Sequence, residues 1–291
     1  MIKIVSPAGI VSSKEIAQLQ LLISKWGLCS QLSEHCIGNI NRYSGTMENR
    51  IRDFKDALHD DNIRAIFCSA GGYGSVQLLE HIINDIQKFP KWIIGFSDIT
   101  AIHAACISAN IQSIHASMSK YMISPTANLY AEKCLCDILY GKNIAYKYKG
   151  TPLDKRGKAD GILIGGNLST LSHLIGTKYD MFRARQDIVL FIEDINEPLY
   201  KIERMLYGLK YSGLLSSLKG LIVGRFINCK YDGRNYFDAN HLILDMVKDY
   251  HYPVCFDFPI GHIEENLPMI EGSNVSFVVE DNVYLHIADE K

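Results

Sequence analysis

A short apolar run that ends in a turn and gives way to a helical stripe recurs through the first 115 residues, and this rhythm constrains the fold more than anything else in the chain. Ile2–Ser6 leads into Pro7-Ala8-Gly9. Ser12-x-x-Glu15 then forms a capping box ahead of the stripe Ile16, Leu19, Ile23 and Trp26, which stops at Gly27. Residues 34–46 are polar and turn-rich, and Thr46 caps a helix with Ile51, Phe54 and Leu58 on one face. Ala65–Cys68 runs into Gly71-Gly72-Tyr73-Gly74 and a helix through Val76, Leu79 and Ile83. Trp92-Ile93-Ile94-Gly95 turns sharply, and after Asp98 the apolar spacing is helical through Ile102, Ala105 and Cys106. A short strand follows near Ser113–His115. Strand–loop–helix repetition implies parallel strands joined by right-handed crossovers, an open α/β sheet. Ligands of such sheets sit beyond the carboxyl ends of the strands. Pro7, the Gly71–Gly74 loop, Ser97 and His115 therefore share one edge.

The stretch from Tyr140 to Lys158 breaks the rhythm: it is basic, polar and carries Gly and Pro. We divide the chain there, into an N-terminal α/β domain over 1–142 and a smaller C-terminal domain over 155–291. The second half shows strand-like runs at Gly161–Gly165, Ile188–Ile192, Leu221–Phe226, Val254–Phe258, Val275–Val279 and Val283–Ile287. Helices fit near Leu168–Ile175, Pro198–Tyr211 and Asp238–Tyr250, and Glu280-Asp281-Asn282 signals a hairpin between the last two strands. A mixed α/β, barrel-like domain is expected.

Bulk properties exclude several function classes. A net charge of −2 gives no electrostatic footprint for nucleic acid or an anionic membrane. No apolar run reaches the length of a membrane span, and the start MIKIVSPAG lacks the pattern of a signal peptide. The eight cysteines show no CxxC pair, and Cys134-Leu135-Cys136 makes neither a zinc site nor a disulfide framework. We expect a cytoplasmic, reduced protein without metal or cofactor.

The chemistry concentrates in a few segments. Ser97 stands on a strand-to-helix turn, where a hydroxyl is held exposed and the following helix aims its amides back at it. Such a serine can attack a carbonyl while nearby amides stabilise the oxyanion, although the second glycine of the usual elbow is replaced by Ile99. As a bland alternative, Ser and Asp are both ordinary helix caps. Gly71-Gly72-Tyr73-Gly74 follows a strand and can present free amides to an anion, but it has neither the dinucleotide nor the P-loop spacing. Ile192-Glu193-Asp194-Ile195-Asn196-Glu197 ends a buried strand, and alternation puts Glu193 and Asp194 on opposite faces, so at most one of them faces a given partner. Among the ten histidines, His262, His103 and His115 have the most site-like surroundings. Together the segments give the order Ser…acid…His, although triads are defined by geometry rather than order.

In combination these residues resemble the L,D-carboxypeptidases, serine peptidases that include muramoyl-tetrapeptide carboxypeptidases and microcin C self-immunity peptidases. The resemblance rests on Ser6-Pro7-Ala8, Gly71-Gly72-Tyr73-Gly74, Gly95-Phe96-Ser97-Asp98-Ile99-Thr100 and Gly165-Gly166-Asn167-Leu168-Ser169. It continues through Ile192–Glu197, Tyr200–Leu206, Gly261-His262 and Leu267-Pro268, and so spans nearly the whole chain. It implies Ser97 as nucleophile, Glu193 as orienting acid and His262 as base. Oxyanion amides would come from Gly72 and Asp98, with Gly71 and His115 beside the substrate. It further implies a site between two domains, commonly a homodimer, and a small muropeptide substrate that loses its terminal D-alanine. Cleavage of an aminoacyl-nucleotide toxin and a catalytically silent binding protein are the alternatives. Two departures bear on substrate detail: Ala70 stands where the family usually has Arg before the glycine loop, and His115-Ala116-Ser117-Met118 replaces His-Gly-Pro-Met.

Overall fold

A computed structural model describes residues 1–183, 185–230 and 237–288, so residues 184, 231–236 and 289–291 of the expected second domain lie outside it. The first half contains β1 (Ile2–Val5), α1 (Ser13–Lys25), β2 (Ser30–Leu32), α2 (Met47–His59), β3 (Ala65–Cys68), α3 (Leu79–Lys88) and β4 (Trp92–Gly95). It goes on through α4 (Thr100–Ser108), β5 (Ser113–His115), α5 (Ser119–Met122) and α6 (Leu129–Leu139). The second half contains β6 (Ile144–Lys149), β7 (Gly157–Asn167), α7 (Leu168–Ser172), β8 (Ile188–Ile195), α8 (Leu199–Tyr211) and α9 (Leu214–Ser217). Last come β9 (Gly220–Ile227), α10 (Ala239–Val247), β10 (Val254–Cys255), β11 (Met269–Glu271), β12 (Asn274–Val279) and β13 (Asn282–Ala288).

β1 to β5 form a parallel sheet in the order β5-β4-β3-β1-β2, as the strand–turn–helix rhythm requires. Its central strands are buried: Ile4, Ile66, Phe67, Ile93 and Ile94 have no exposed surface, because helices cover both faces. The capping box of α1 is made in full, with Glu15 N donating to Ser12 Oγ and Ser12 N donating to Glu15 Oε2. The strand order reverses between β1 and β3. There Gly9 N donates to Gly71 O at 2.9 Å, so the turns after the two strands close on each other at the edge where ligands of such sheets bind.

The second sheet has the order β10-β9-β8-β7-β12-β13-β6 and mixes parallel with antiparallel pairs. It curls strongly. Lys155, two residues ahead of β7, bridges to Val254 of β10, three strands away, which gives the sheet its barrel-like form. The hairpin expected at residues 280–282 joins β12 to β13.

Several details differ from the sequence reading. The basic stretch after Tyr140 holds the edge strand β6, with Ile144 and Tyr146 turned inward. The strand expected over Val254–Phe258 ends at Cys255, because Asp257 takes a positive φ of 56°. The helix α4 is buried on every side from Thr100 to Ile107 rather than amphipathic. β11 crosses back from the second half and pairs antiparallel with β5, adding a sixth strand to the first sheet and tying the halves together.

Candidate active site

The site begins where β4 ends. Phe96 is extended, and Ser97 then takes φ 62°, the left-handed region that costs an L-residue about 1 kcal/mol or more. Neighbours hold it there. The Asp98 carboxylate, 7% exposed, accepts from Ser75 N at 2.8 Å, while Ser75 Oγ donates to the Asp98 carbonyl. Burial pushes the Asp98 carboxyl up, and the bonds from Ser75 pull against that shift. The elbow is thereby fastened to the chain just after the glycine loop. Beneath it, His103 Nε2 lies 2.9 Å from the Gly95 carbonyl and its Nδ1 lies 2.9 Å from Ser113 Oγ. A carbonyl only accepts, so Nε2 carries the proton and the ring is a neutral packing element. Burial lowers its pKa to about 4.

Two segments from the second half meet Ser97. His262 Nε2 is 2.9 Å from Ser97 Oγ, and His262 Nδ1 is 2.7 Å from Glu193 Oε2. A carboxylate can only accept, so Nδ1–H donates to Glu193 and Nε2 is left to accept from the serine hydroxyl. Glu193 is fully buried at the end of β8, and His262 is nearly so. Gly261 makes this approach possible: its φ is 117°, and a Cβ there would stand 2.9 Å from Glu193 Oε2. Asp194 points the other way, accepting from Asn167 Nδ2, Ser169 N and Ile195 N at 2.8 to 3.0 Å. Burial, and then the neighbouring Glu193, raise its pKa to about 6. Glu197 pairs with Lys201 at 3.2 Å instead of a histidine.

Gly71 lies against Ser97, for a Cβ there would stand 3.4 Å from Ser97 Oγ and 3.1 Å from Met118 Cε. Its carbonyl is turned to Gly9 N. Across a trans peptide the next N–H points the opposite way, so the Gly72 amide faces away from Gly9. His115 is fully buried between the ring edges of Phe96 and Phe191, with centroids 5.8 and 5.1 Å away, and so sits behind the triad. Burial holds its pKa well below the usual histidine value.

Three contributors leave little mark on the sequence. Arg50 of α2, 3% exposed, donates to the carbonyls of Pro7 (2.8 Å) and Gly74 (3.1 Å) and clamps the glycine loop. Phe96 packs its ring on His262 at 4.8 Å. At the junction of the halves, Thr100 Oγ1 accepts from Asn167 N at 3.0 Å, against Gly166 at φ 127°. Only the glycine run at 165–166 and the polar Asn167 gave any hint of that junction. Among the described residues, no cluster of three or more His, Cys, Asp and Glu is arranged to hold a metal. No helix there is long and apolar enough to cross a membrane.

Comparison with known proteins gives the family. The profile of the LD-carboxypeptidase N-terminal domain matches residues 2–116, and that of the LD-carboxypeptidase C-terminal domain matches residues 160–277. A Synechocystis sp. relative named as a carboxypeptidase is 32% identical, over 93% of this chain and 88% of its own. The murein tetrapeptide carboxypeptidase of Pseudomonas aeruginosa is 27% identical, over 91% of this chain and 89% of its own. Among solved structures, a muramoyltetrapeptide carboxypeptidase from Oxalobacter formigenes superposes with a TM-score of 0.89 at 23% identity, covering 99% of this chain and 98% of that one. The microcin C7 self-immunity protein MccF superposes with a TM-score of 0.85 at 20% identity, covering 99% and 96%. At such identities the structures speak for the fold alone, whereas the two matched profiles cover most of the sequence: the chain belongs to the LD-carboxypeptidase family.

Proposed function

We propose that the protein is a serine carboxypeptidase that hydrolyses an L,D-peptide bond and releases the terminal D-alanine of murein tetrapeptides. The observation that carries this reading is the unbroken hydrogen-bond chain Ser97 Oγ, His262 Nε2, His262 Nδ1, Glu193 Oε2. Ser97 Oγ attacks the scissile carbonyl carbon as His262 Nε2 takes its proton. The carbonyl oxygen becomes an oxyanion, which the amides of Gly72 and Asp98 stabilise. His262 then gives the proton to the departing amine of D-alanine, leaving an acyl-serine. Water, deprotonated by the same nitrogen, attacks that ester and frees Ser97. Glu193, buried at the end of β8, accepts from Nδ1–H and so holds the tautomer, and it balances the imidazolium that forms at each step.

The substrate class is supported by membership of the family and by the name of the Pseudomonas aeruginosa relative. A cytoplasmic setting fits eight cysteines of which none is disulfide-bonded. A homodimer is proposed on the family resemblance alone. The test is mass spectrometry of a muropeptide mixture before and after incubation with the protein. Loss of one alanine from tetrapeptides is expected, and an unchanged mixture in the presence of folded protein contradicts the reading.

A further inference from the structure

The glycine loop after β3 is tied at both ends to the turn after β1. On one side Gly71 O accepts from Gly9 N at 2.9 Å. On the other, Gly74 O accepts from Arg50 Nη1 at 3.1 Å, and the same nitrogen donates to Pro7 O at 2.8 Å. Between these ties lie Gly72 and Tyr73. Among the described residues no acceptor takes the Gly72 amide, and Gly72 is exposed with φ 102°. Just beyond the loop, Ser75 N donates to the Asp98 carboxylate and fastens the same segment to the elbow.

Arg50 is fixed from several directions. It is buried on α2, its Nη2 donates to Gln77 Oε1 at 2.6 Å, and its guanidinium lies 4.6 Å over the centre of the Tyr43 ring. Glycine at position 74 admits it, since a Cβ there would stand 2.7 Å from Arg50 Nη1 and 2.9 Å from Tyr43 Cε1. The acceptors are all neutral oxygens, and the shielded Arg50 Nε has no hydrogen-bond partner. A buried cation held in this way adds little stability, and an apolar side chain of like volume would pack at lower cost. What an apolar residue lacks is the geometry. The planar fork of N–H groups reaches two carbonyls and a side-chain amide at once, and an ammonium on a flexible stem does not reproduce it. The fork thus fixes the end of the loop that carries the Gly72 N–H.

We propose that Arg50 is a positioning residue for the reaction: by holding Gly74 against the turn after β1, it aims the Gly72 amide at the place where the oxyanion forms. This rests on the carboxypeptidase reading and extends it to a residue outside the triad. A loop freed at Gly74 still lets the peptide bind, but its displaced amide stabilises the transition state less. The loss therefore falls on kcat rather than on KM.

The experiment measures kcat and KM on a murein tetrapeptide for wild type, Arg50→Lys and Arg50→Ala. Each kcat is divided by the number of sites that a fluorophosphonate labels at completion, so that unfolded protein is not counted. Arg50→Lys should lower kcat per labelled site by about tenfold to a hundredfold, and Arg50→Ala by at least as much, with KM within about threefold of wild type. A purely structural arginine would instead reduce the number of labelled sites and leave the turnover of each one unchanged. Values of kcat per site within about threefold of wild type in both variants overturn the proposal and leave the carboxypeptidase reading intact, as does a loss carried by KM. If both Arg50 variants fail to fold, Gln77→Leu decides, since it removes the acceptor of Nη2 and leaves the guanidinium in place. Its kcat should fall about threefold or more at unchanged KM, and an unchanged kcat overturns the proposal. Wild type that cleaves no tetrapeptide removes the carboxypeptidase reading, and this inference falls with it.

Discussion

Replacing Ser97 by glycine and by alanine separates the chemical role of the elbow from its conformational cost. Ser97 sits at φ 62°, so any L-residue there pays for the left-handed region, about 1–2 kcal/mol, and alanine pays as serine does. Glycine escapes that strain, less the roughly 0.5–1 kcal/mol it loses through greater freedom in the unfolded chain. Both variants also lose the Ser97–His262 hydrogen bond, about 1 kcal/mol. The Ser97→Ala protein is therefore expected about 1 kcal/mol below wild type, and Ser97→Gly about level with it. At a position with ordinary backbone angles the order would reverse. Urea unfolding of the three proteins, compared at equal slope, reads the difference. Turnover should drop by several orders of magnitude in both variants, since each lacks the nucleophile. A glycine variant that is less stable than the alanine variant would refute the claim that the turn is strained at Ser97.

Other outcomes follow from buried groups around the site. His103 has a folded pKa of about 4 against 6.5 unfolded, so the unfolded chain takes the proton first and stability is lost as pH falls from 6.5 toward 4. Asp194, raised to about 6, contributes with the opposite sign, so the test is a difference between proteins. From pH 7.5 to pH 5, His103→Gln should lose about 2 kcal/mol less stability than wild type in urea titrations. Gly166→Ala meets both φ 127° and Thr100 side-chain atoms at 2.6 Å from the new Cβ, so it should cost more than about 2 kcal/mol and loosen the junction of the halves, read by calorimetry. Glu193→Gln should lower kcat by about a thousandfold or more with modest effect on stability. Asp194→Asn should act chiefly on stability, by about 1–3 kcal/mol, and the reverse ordering of those two effects would exchange their roles.

β1, β3 and β4 were legible because each is a short apolar run followed by a turn and a 3.6-residue stripe, whereas the edge strand β2, Ser30-Gln31-Leu32, carries no such signal. Ser97 was legible for the same reason, since the change of period after Gly95 marks the turn. β6 was not, because its lysines and tyrosines read as a basic linker; its alternation, with Ile144 and Tyr146 inward, is plain only beside β13. β11 was hidden by Glu271, a carboxylate in a strand of three residues that reads as solvated. In the fold it is fully buried, and burial pushes its carboxyl well above the usual range. Arg50 illustrates the limit of periodicity. Its position on α2 can be counted, but its acceptors, the carbonyls of Pro7 and Gly74, lie 43 and 24 residues away and are brought to it by the sheet. The pairing of Glu193 and His262 belongs between these cases. Alternation separated Glu193 from Asp194, but which of the two meets an imidazole depends on a loop 69 residues further on.

The most direct test of the account is covalent labelling of the intact protein with a fluorophosphonate, followed by peptide mapping. The account predicts a single adduct on Ser97, formed rapidly in wild type, much more slowly in His262→Ala and Glu193→Gln, and absent from Ser97→Ala. Labelling at a different serine, or undiminished labelling of Ser97 after removal of the His262 imidazole, would contradict it.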